Sequence, residues 1–282
     1  MFARRSFIRT AAAAASAGLA KTVHGAGKEK KATALALVGD RYHNSDYIRT
    51  ALGKTLVKDL GVSIDFTDEL KALNAGALSG YKLLIMFRDG MIWPDGYSNN
   101  MTYPGYAARA AAGVISDPPV PEHESKSVAW ITPEQGKAVK EFVSKGGGIL
   151  FYHNVTYISP HNQDFRDVLG AVTHGHPPLR PFKVKVVAGD HPITRGVRDF
   201  IVTDEQHYLT YEKDPKHVLL RSVNEEGLTY GKWGASCEAG WAYDYGKGRI
   251  CYLAPGHMVV CLWNPEYEKL QQNAVRWLLR KV

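Results

Sequence analysis

Lys145-Gly146-Gly147-Gly148-Ile149-Leu150-Phe151-Tyr152-His153-Asn154 is the stretch on which the fold turns. A helical pattern runs into it, the glycines stop that helix, and a short apolar run follows and ends at the polar pair His153 and Asn154. An apolar run of this length after a helix fits a strand buried on both faces of a parallel sheet. Ligands bind open sheets of that kind beyond the carboxyl ends of the strands. His153 is therefore expected at a rim where chemistry is placed. The glycines are a helix stop and not a phosphate cradle, because a cradle precedes a helix and these precede a strand.

The helix that delivers the chain to this point starts at Thr132-Pro133-Glu134-Gln135: a threonine cap, proline in the first turn and glutamine three residues on. Val139, Phe142 and Val143 form its buried stripe. Upstream, apolar runs at 33–38, 62–66 and 81–87 read as strands. A helix capped by Asn44 or Ser45 lies between the first two, with Ile48, Leu52, Leu56 and Leu60 on one face and Gly61 closing it. Strands alternating with helices imply parallel βαβ units. Downstream, strand candidates come closer together, at 183–187, 205–211, 218–223, 240–243 and 249–254. A tight hairpin is expected at 243–249. A last helix starts at Asn264-Pro265, with Leu270, Ala274, Trp277 and Leu278 facing inward. From Arg88 to Ile131 the pattern dissolves into Gly, Pro, Asn and aromatics, as a lid or binding loop would. Trp93, Tyr97, Tyr103 and Tyr106 either pin that loop to the body or stack on a sugar ring.

The amino terminus is read separately. Arg4-Arg5 in a basic segment, the small apolar run 10–20 and Val23-His24-Gly25-Ala26 have the succession of a twin-arginine secretory signal over residues 1–26. The expected partner is the twin-arginine export machinery, and the expected location periplasmic or secreted. No later run approaches the roughly 20 apolar residues of a membrane span, so no stable membrane insertion is expected. Four of the basic residues lie within 1–26 and no acidic ones, so the formal charge of +7 falls to +3 for 27–282. That excess is too small to argue for nucleic acid. Residues 27–282 read as one α/β domain, and a homo-oligomer is open. The three cysteines, Cys237, Cys251 and Cys261, have no metal-site spacing, and the sequence does not say whether any two are bridged.

Polar residues recur where strands are expected to end: Asp40 and His43, Arg88 and Asp89, His153, then Asp204, Glu205 and His207, and His257. Parallel strands place their carboxyl ends at one edge, so these residues can converge. Histidine suits proton transfer near neutral pH or metal ligation, and a neighbouring carboxylate orients it. His174 and His176 would share a strand face, but Pro177-Pro178 makes this a loop and reads against a metal site there. His123, His161 and His217 read as loop or surface residues. The chain has no G-x-S-x-G or G-x-C-x-G nucleophile turn, no phosphate loop and no dinucleotide fingerprint.

Several blocks resemble the ThuA-like family, named for a trehalose-utilisation protein. They are 38–43, 146–153, Gly189-Asp190-His191-Pro192-Ile193-Thr194-Arg195-Gly196, 204–208, and 245–252 running on to Gly256-His257. The resemblance implies a flavodoxin-like three-layer α/β sandwich with a mostly parallel sheet, similar to class I glutamine amidotransferases. In those enzymes a cysteine occupies the turn where this chain has His153, so glutaminase activity is not expected. By residue match the resemblance implies a pocket of His43, His153, Glu205, Tyr208 and His257; Asp40 is expected as a further substrate contact, as is Trp93, read from the aromatic loop at 88–131 and not from the resemblance. His191 also matches, in a position that equally suits a loop anchor. The implied role is carbohydrate catabolism. The protein would be an enzyme acting on a disaccharide or 3-keto-glycoside by hydrolysis, elimination or isomerisation, with Glu205 or His153 as base and His257 or His43 as acid. A divalent metal such as zinc is the candidate cofactor. The alternatives are a non-catalytic carbohydrate-binding protein and an amidohydrolase with a displaced cysteine.

Overall fold

The computed structural model describes residues 31–97, 117–118, 121 and 123–282. The expected signal at 1–26, and Tyr103 and Tyr106 of the aromatic loop, lie outside them. At the centre is the stretch quoted above: β6 (Gly148–Tyr152), every residue of it buried. It lies between β3 (Leu83–Phe87) and β13 (Gly248–Leu253), parallel to both, with Ile149 level with Leu84 and Ile250. Beyond β3 come β1 (Ala34–Val38) and β2 (Ile64–Thr67), also parallel. On the other side the order continues through β12 (Ser236–Tyr245), β11 (Val218–Val223), β8 (Arg180–Val186) and β9 (Phe200–Asp204), each antiparallel to its neighbour. The sheet of nine strands is thus mixed, with parallel order confined to the half that carries β6. The connection explains the switch: β12 and β13 are joined by the tight turn expected at 243–249, and a parallel pairing would need a crossover of a dozen residues or more.

Helices cover both faces. Gly147 and Gly148 are successive and so point to opposite sides, one toward Phe142 and the other toward Leu278. The first belongs to α3 (Pro133–Ser144), which carries the full expected capping box and packs with α2 (Ala75–Leu78) and α4 (Gln163–Leu169). The second belongs to α6 (Pro265–Leu278), which packs with α5 (Val259–Leu262). On that side too lies α1 (Ser45–Leu52), continued in π-helical form over Gly53–Lys58. Leu270, Ala274, Trp277 and Leu278 of α6 are buried as expected. Among the described residues no helix is long and apolar enough to cross a membrane.

Two departures from the sequence pattern bear on the site. The run expected as one strand at 205–211 is broken. β9 ends at Asp204, and β10 (Tyr208–Tyr211) pairs instead with β7 (Ala171–Gly175) in a separate ribbon, as β4 (Met91–Ile92) does with β5 (Val128–Ala129). The antiparallel half also curls. β9 is four strands from β13 in hydrogen-bond order, yet the Asp204 carboxylate accepts from the Gly256 and His257 amides at 3.0 and 3.1 Å. Register breaks between β11 and β12 after Val218 and Leu220 supply extra twist.

The close approach of β13 to the end of α3 leaves no room for a side chain at Gly248. A Cβ there would lie 2.1 Å from the Val143 carbonyl oxygen and 2.3 Å from that of Gly147, both backbone. Gly248→Ala is therefore expected to cost about 3 kcal/mol, the upper end for overpacking, in urea unfolding. Gly189→Ala, where nothing lies within 4 Å, should stay within about 0.5 kcal/mol of the parent.

Candidate functional site

The carboxyl ends of four parallel strands reach one edge of the sheet: β1 brings Asp40 and His43, β3 Asp89, β6 His153 and Asn154, and β13 His257. The link 205–207 between β9 and β10 adds Glu205 and His207, and the end of β7 adds His176. The link is pinned by its alternate residues. Asp204 holds the amides described above, and Gln206 bonds Ser222, the Ala235 carbonyl and Arg180. Glu205 and His207 are thereby turned the other way. All of the groups gathered at this edge but Asp40 and His153 line a cavity of about 710 Å³, walled also by Tyr42, Met91, Trp93, Tyr157 and Leu179 among others.

His153 sits on a sharp elbow with φ 46°, a left-handed conformation that costs a non-glycine residue energy. Its ring Nδ1 is 2.7 Å from the Ala254 carbonyl, and its own carbonyl accepts from the Tyr252 hydroxyl at 2.8 Å. Gly256 lies so close that a Cβ there would come within 2.7 Å of the His153 Cβ. A carbonyl can only accept, so His153 Nδ1 carries a proton, and in the neutral ring Nε2 offers a lone pair. That Nε2 is buried with no hydrogen-bond partner, 3.3 Å from Glu205 Oε2. His43 is fixed in the same way: Nδ1 donates to Asp40 at 2.9 Å, and Nε2 faces His257 Nδ1 at 3.1 Å. Asp40 also accepts from Asn154 at 2.6 Å and from the Asp89 amide at 2.9 Å.

Glu205 Oε2 is the common point. It lies 3.2 Å from His257 Nδ1, 3.4 Å from His176 Nε2 and 3.6 Å from His207 Nε2, besides His153. Burial alone would raise the Glu205 carboxyl, but His153, His207 and His257 outweigh it and hold it far below the usual range. Burial lowers His257, yet Glu205, Asp204 and Asp40 bring it above an ordinary histidine. Burial holds His176 and His207 below theirs. Asp40 is burdened by burial, but its bond to His43 keeps it ionised, below the usual value. Asp89 is pushed up to about 7 by burial and by the charge of Asp40.

A zinc ion holds nitrogen ligands at about 2.0–2.1 Å in a tetrahedron, which sets ligand atoms about 3.3 Å apart. The separations His43–His257, His257–Glu205 and His153–Glu205, at 3.1, 3.2 and 3.3 Å, match that edge length. The donor set fits a divalent metal: three imidazoles and a carboxylate, with an orphaned buried lone pair among them.

Of the residues expected from the sequence, the structure brings His43, His153, Glu205, His257 and Asp40 together. Trp93 lies on the cavity wall, edge-on to Tyr42 and Tyr97 and beneath the Arg41 guanidinium. Tyr208 is not there. It is fully buried, stacked on Tyr230 at 5.2 Å, with its hydroxyl accepting from Arg180. The break before β10 turns it away from the link. His191 anchors its loop, its Nδ1 accepting from the Ile193 amide. The sequence passed over His176: Pro177-Pro178 does end β7, and it is this ending that delivers His176 to the cavity. His174, one turn of the pleat earlier, stacks on Trp233 at 3.6 Å instead. The cysteines are buried and unpaired.

The sequence matches the family described as trehalose utilisation, ThuA, over residues 122–278, more than half of the chain. The chain belongs to the ThuA family. Among solved structures it is similar to a ThuA-like protein from Parabacteroides merdae. That match has 14% identity and a TM-score of 0.62, and covers 89% of this chain and 91% of that one. A second, from Bacteroides uniformis, has 18% identity and a TM-score of 0.56, covering 90% and 95%. At such identities the likeness establishes the fold. No curated protein matches the sequence.

The Asp89 carboxyl gives this family member a testable pH signature. With a folded value of about 7 against an ordinary 3.8, the native state keeps a proton that the unfolded chain releases. Its contribution to stability is therefore greatest at low pH and declines as pH rises from about 4 to 7. In chelator-treated protein, Asp89→Asn should gain urea resistance relative to the parent at pH 8 and show little gain at pH 4. An equal effect at both would mean Asp89 is ionised throughout.

Proposed function

We propose that this ThuA family protein is an exported, metal-dependent enzyme of carbohydrate catabolism that acts on a disaccharide or 3-keto-glycoside. The observation that carries this reading is the clustering of His43, His153, His257 and Glu205, three of whose separations are 3.1–3.3 Å, at a cavity whose wall carries Trp93 and Tyr42. These four residues would hold the ion. Bound there, a divalent metal would polarise a sugar carbonyl or acidify a water. Export rests on Arg4-Arg5 and the apolar run after it.

The chain's own groups supply the rest. The Ala254 carbonyl and the Asp40 carboxylate fix the tautomers of His153 and His43, so both present lone pairs without reorganisation. Trp93 and Tyr42 give flat apolar faces suited to a pyranose ring. Asp89, held near pH 7, is placed on the wall to exchange a proton. In a 3-keto-glycoside the C–H beside the ketone is acidic. Removing that proton lets its electron pair form a double bond to the anomeric carbon as the anomeric C–O bond breaks, and the departing oxygen takes a proton.

The test incubates the purified protein with 3-keto-trehalose and a 3-keto-glucoside, with and without chelator. Turnover that chelation abolishes is expected, with His153→Ala at least about 100-fold lower in kcat/KM and Trp93→Ala affected mainly in KM. Binding of these sugars without product, unchanged by chelator, would make the protein a carbohydrate-binding module instead.

A further inference from the structure

His176 and His207 are not used by the four-residue set, and His207 is the histidine there with both ring nitrogens unpartnered. His207 is 2% exposed, and neither of its ring nitrogens has a hydrogen-bond partner. Buried imidazoles in a core are ordinarily bonded through at least one nitrogen. His207 lies flat against His176, centroids 5.0 Å apart and planes 9° from parallel, so both rings direct Nε2 to the same place. That place is Glu205 Oε2, at 3.4 and 3.6 Å. The His176 Nδ1 is 2.9 Å from the Pro177 carbonyl and therefore carries the proton. Its Nε2 thus aims a lone pair at a carboxylate, as His153 does from the other set. With the ring neutral, two electron-rich atoms at that distance repel unless a proton or a metal cation lies between them.

We infer that His176, His207 and Glu205 form a second divalent-cation site, and that Glu205 bridges it to the first, making the cavity floor a two-metal centre. The ligand atoms of this set lie within 4.8 Å of one another, as do those of the first. Three protein ligands leave coordination open toward the cavity. Paired ions about 3.5–4 Å apart clamp two oxygens of one substrate, and adjacent oxygens, a ketone beside a hydroxyl, are the ligand class this floor would take. This rests on the first set holding a metal, but it fails separately from it.

The experiment counts metal. Full-length protein is saturated with Zn²⁺, desalted and measured by elemental mass spectrometry. Two ions per chain are expected for the parent and one for His176→Gln and for His207→Gln. In Mn²⁺-loaded parent, electron paramagnetic resonance should give the multiline spectrum of a coupled pair, replaced by an isolated-ion spectrum in either variant. One ion in the parent, unchanged by both substitutions, overturns the second site and leaves the proposed function standing. No ion at all overturns both. Should His207→Gln fail to fold, the half-exposed position of His176, with 29% of its side chain accessible, lets that variant and the parent count decide.

Discussion

A carboxylate taken out of water must be neutralised or hydrogen-bonded, at a cost of several kcal/mol otherwise, and Glu205 is the point where this molecule meets that constraint. Four imidazole nitrogens surround one of its oxygens. When neutral, two of them, on His153 and His176, spend their single N–H on a backbone carbonyl and cannot donate to it. With those rings neutral, hydrogen bonding alone leaves the arrangement short of donors. The carbonyls of Ala254 and Pro177 do by orientation what charge would do crudely: they aim lone pairs at a negative group and create a demand for cations between them.

That demand explains features of the fold that packing does not. The curl of the antiparallel half brings the end of β9 back to the end of β13, and Asp204 fastens the two by accepting the Gly256 and His257 amides. The same fastening sets Glu205, the next residue, against His257. The left-handed His153 stores strain that a glycine would avoid. It is held by the Ala254 carbonyl on one side and by Gly256 packed against its Cβ on the other. The elbow, the curl and the broken strand at 205–207 each bend regular structure toward the same few cubic ångströms.

How much of this could be read from the chain depends on whether the cause was local. The strands β1, β3 and β6, the capping box at Thr132 and the α6 face declare themselves by apolar runs, cap chemistry and 3.6-residue spacing, and they stand where the pattern put them. His43, His153 and His257 were legible because parallel strands share an edge. Glu205 was legible through the resemblance, but the break that frees it was not: the run 205–211 reads in sequence as one strand. Only contacts with Gly256, Ser222 and Ala235, distant in sequence, decide that the ladder stops. The same long-range cause removed Tyr208 from the cavity and admitted His176. A proline pair marks the end of a strand without saying what the end faces.

An imidazole at the elbow changes what chemistry the fold can support. A thiol there could attack carbon, because an elbow exposes its side chain at the top of the sheet. The thiols this chain does have are elsewhere and inert: burial pushes Cys237 up to about 12, and Cys251 and Cys261 also well above an ordinary cysteine. His153 offers a lone pair pointing at a carboxylate, which is a poor nucleophile's geometry and a good ligand's. The same competition sets a lower pH limit on such a centre. Glu205 raises the proton affinity of His257, so below that histidine's titration a proton sits where an ion would bind. A floor of this kind would lose its metal from the acid side first, and it would lose it through His257.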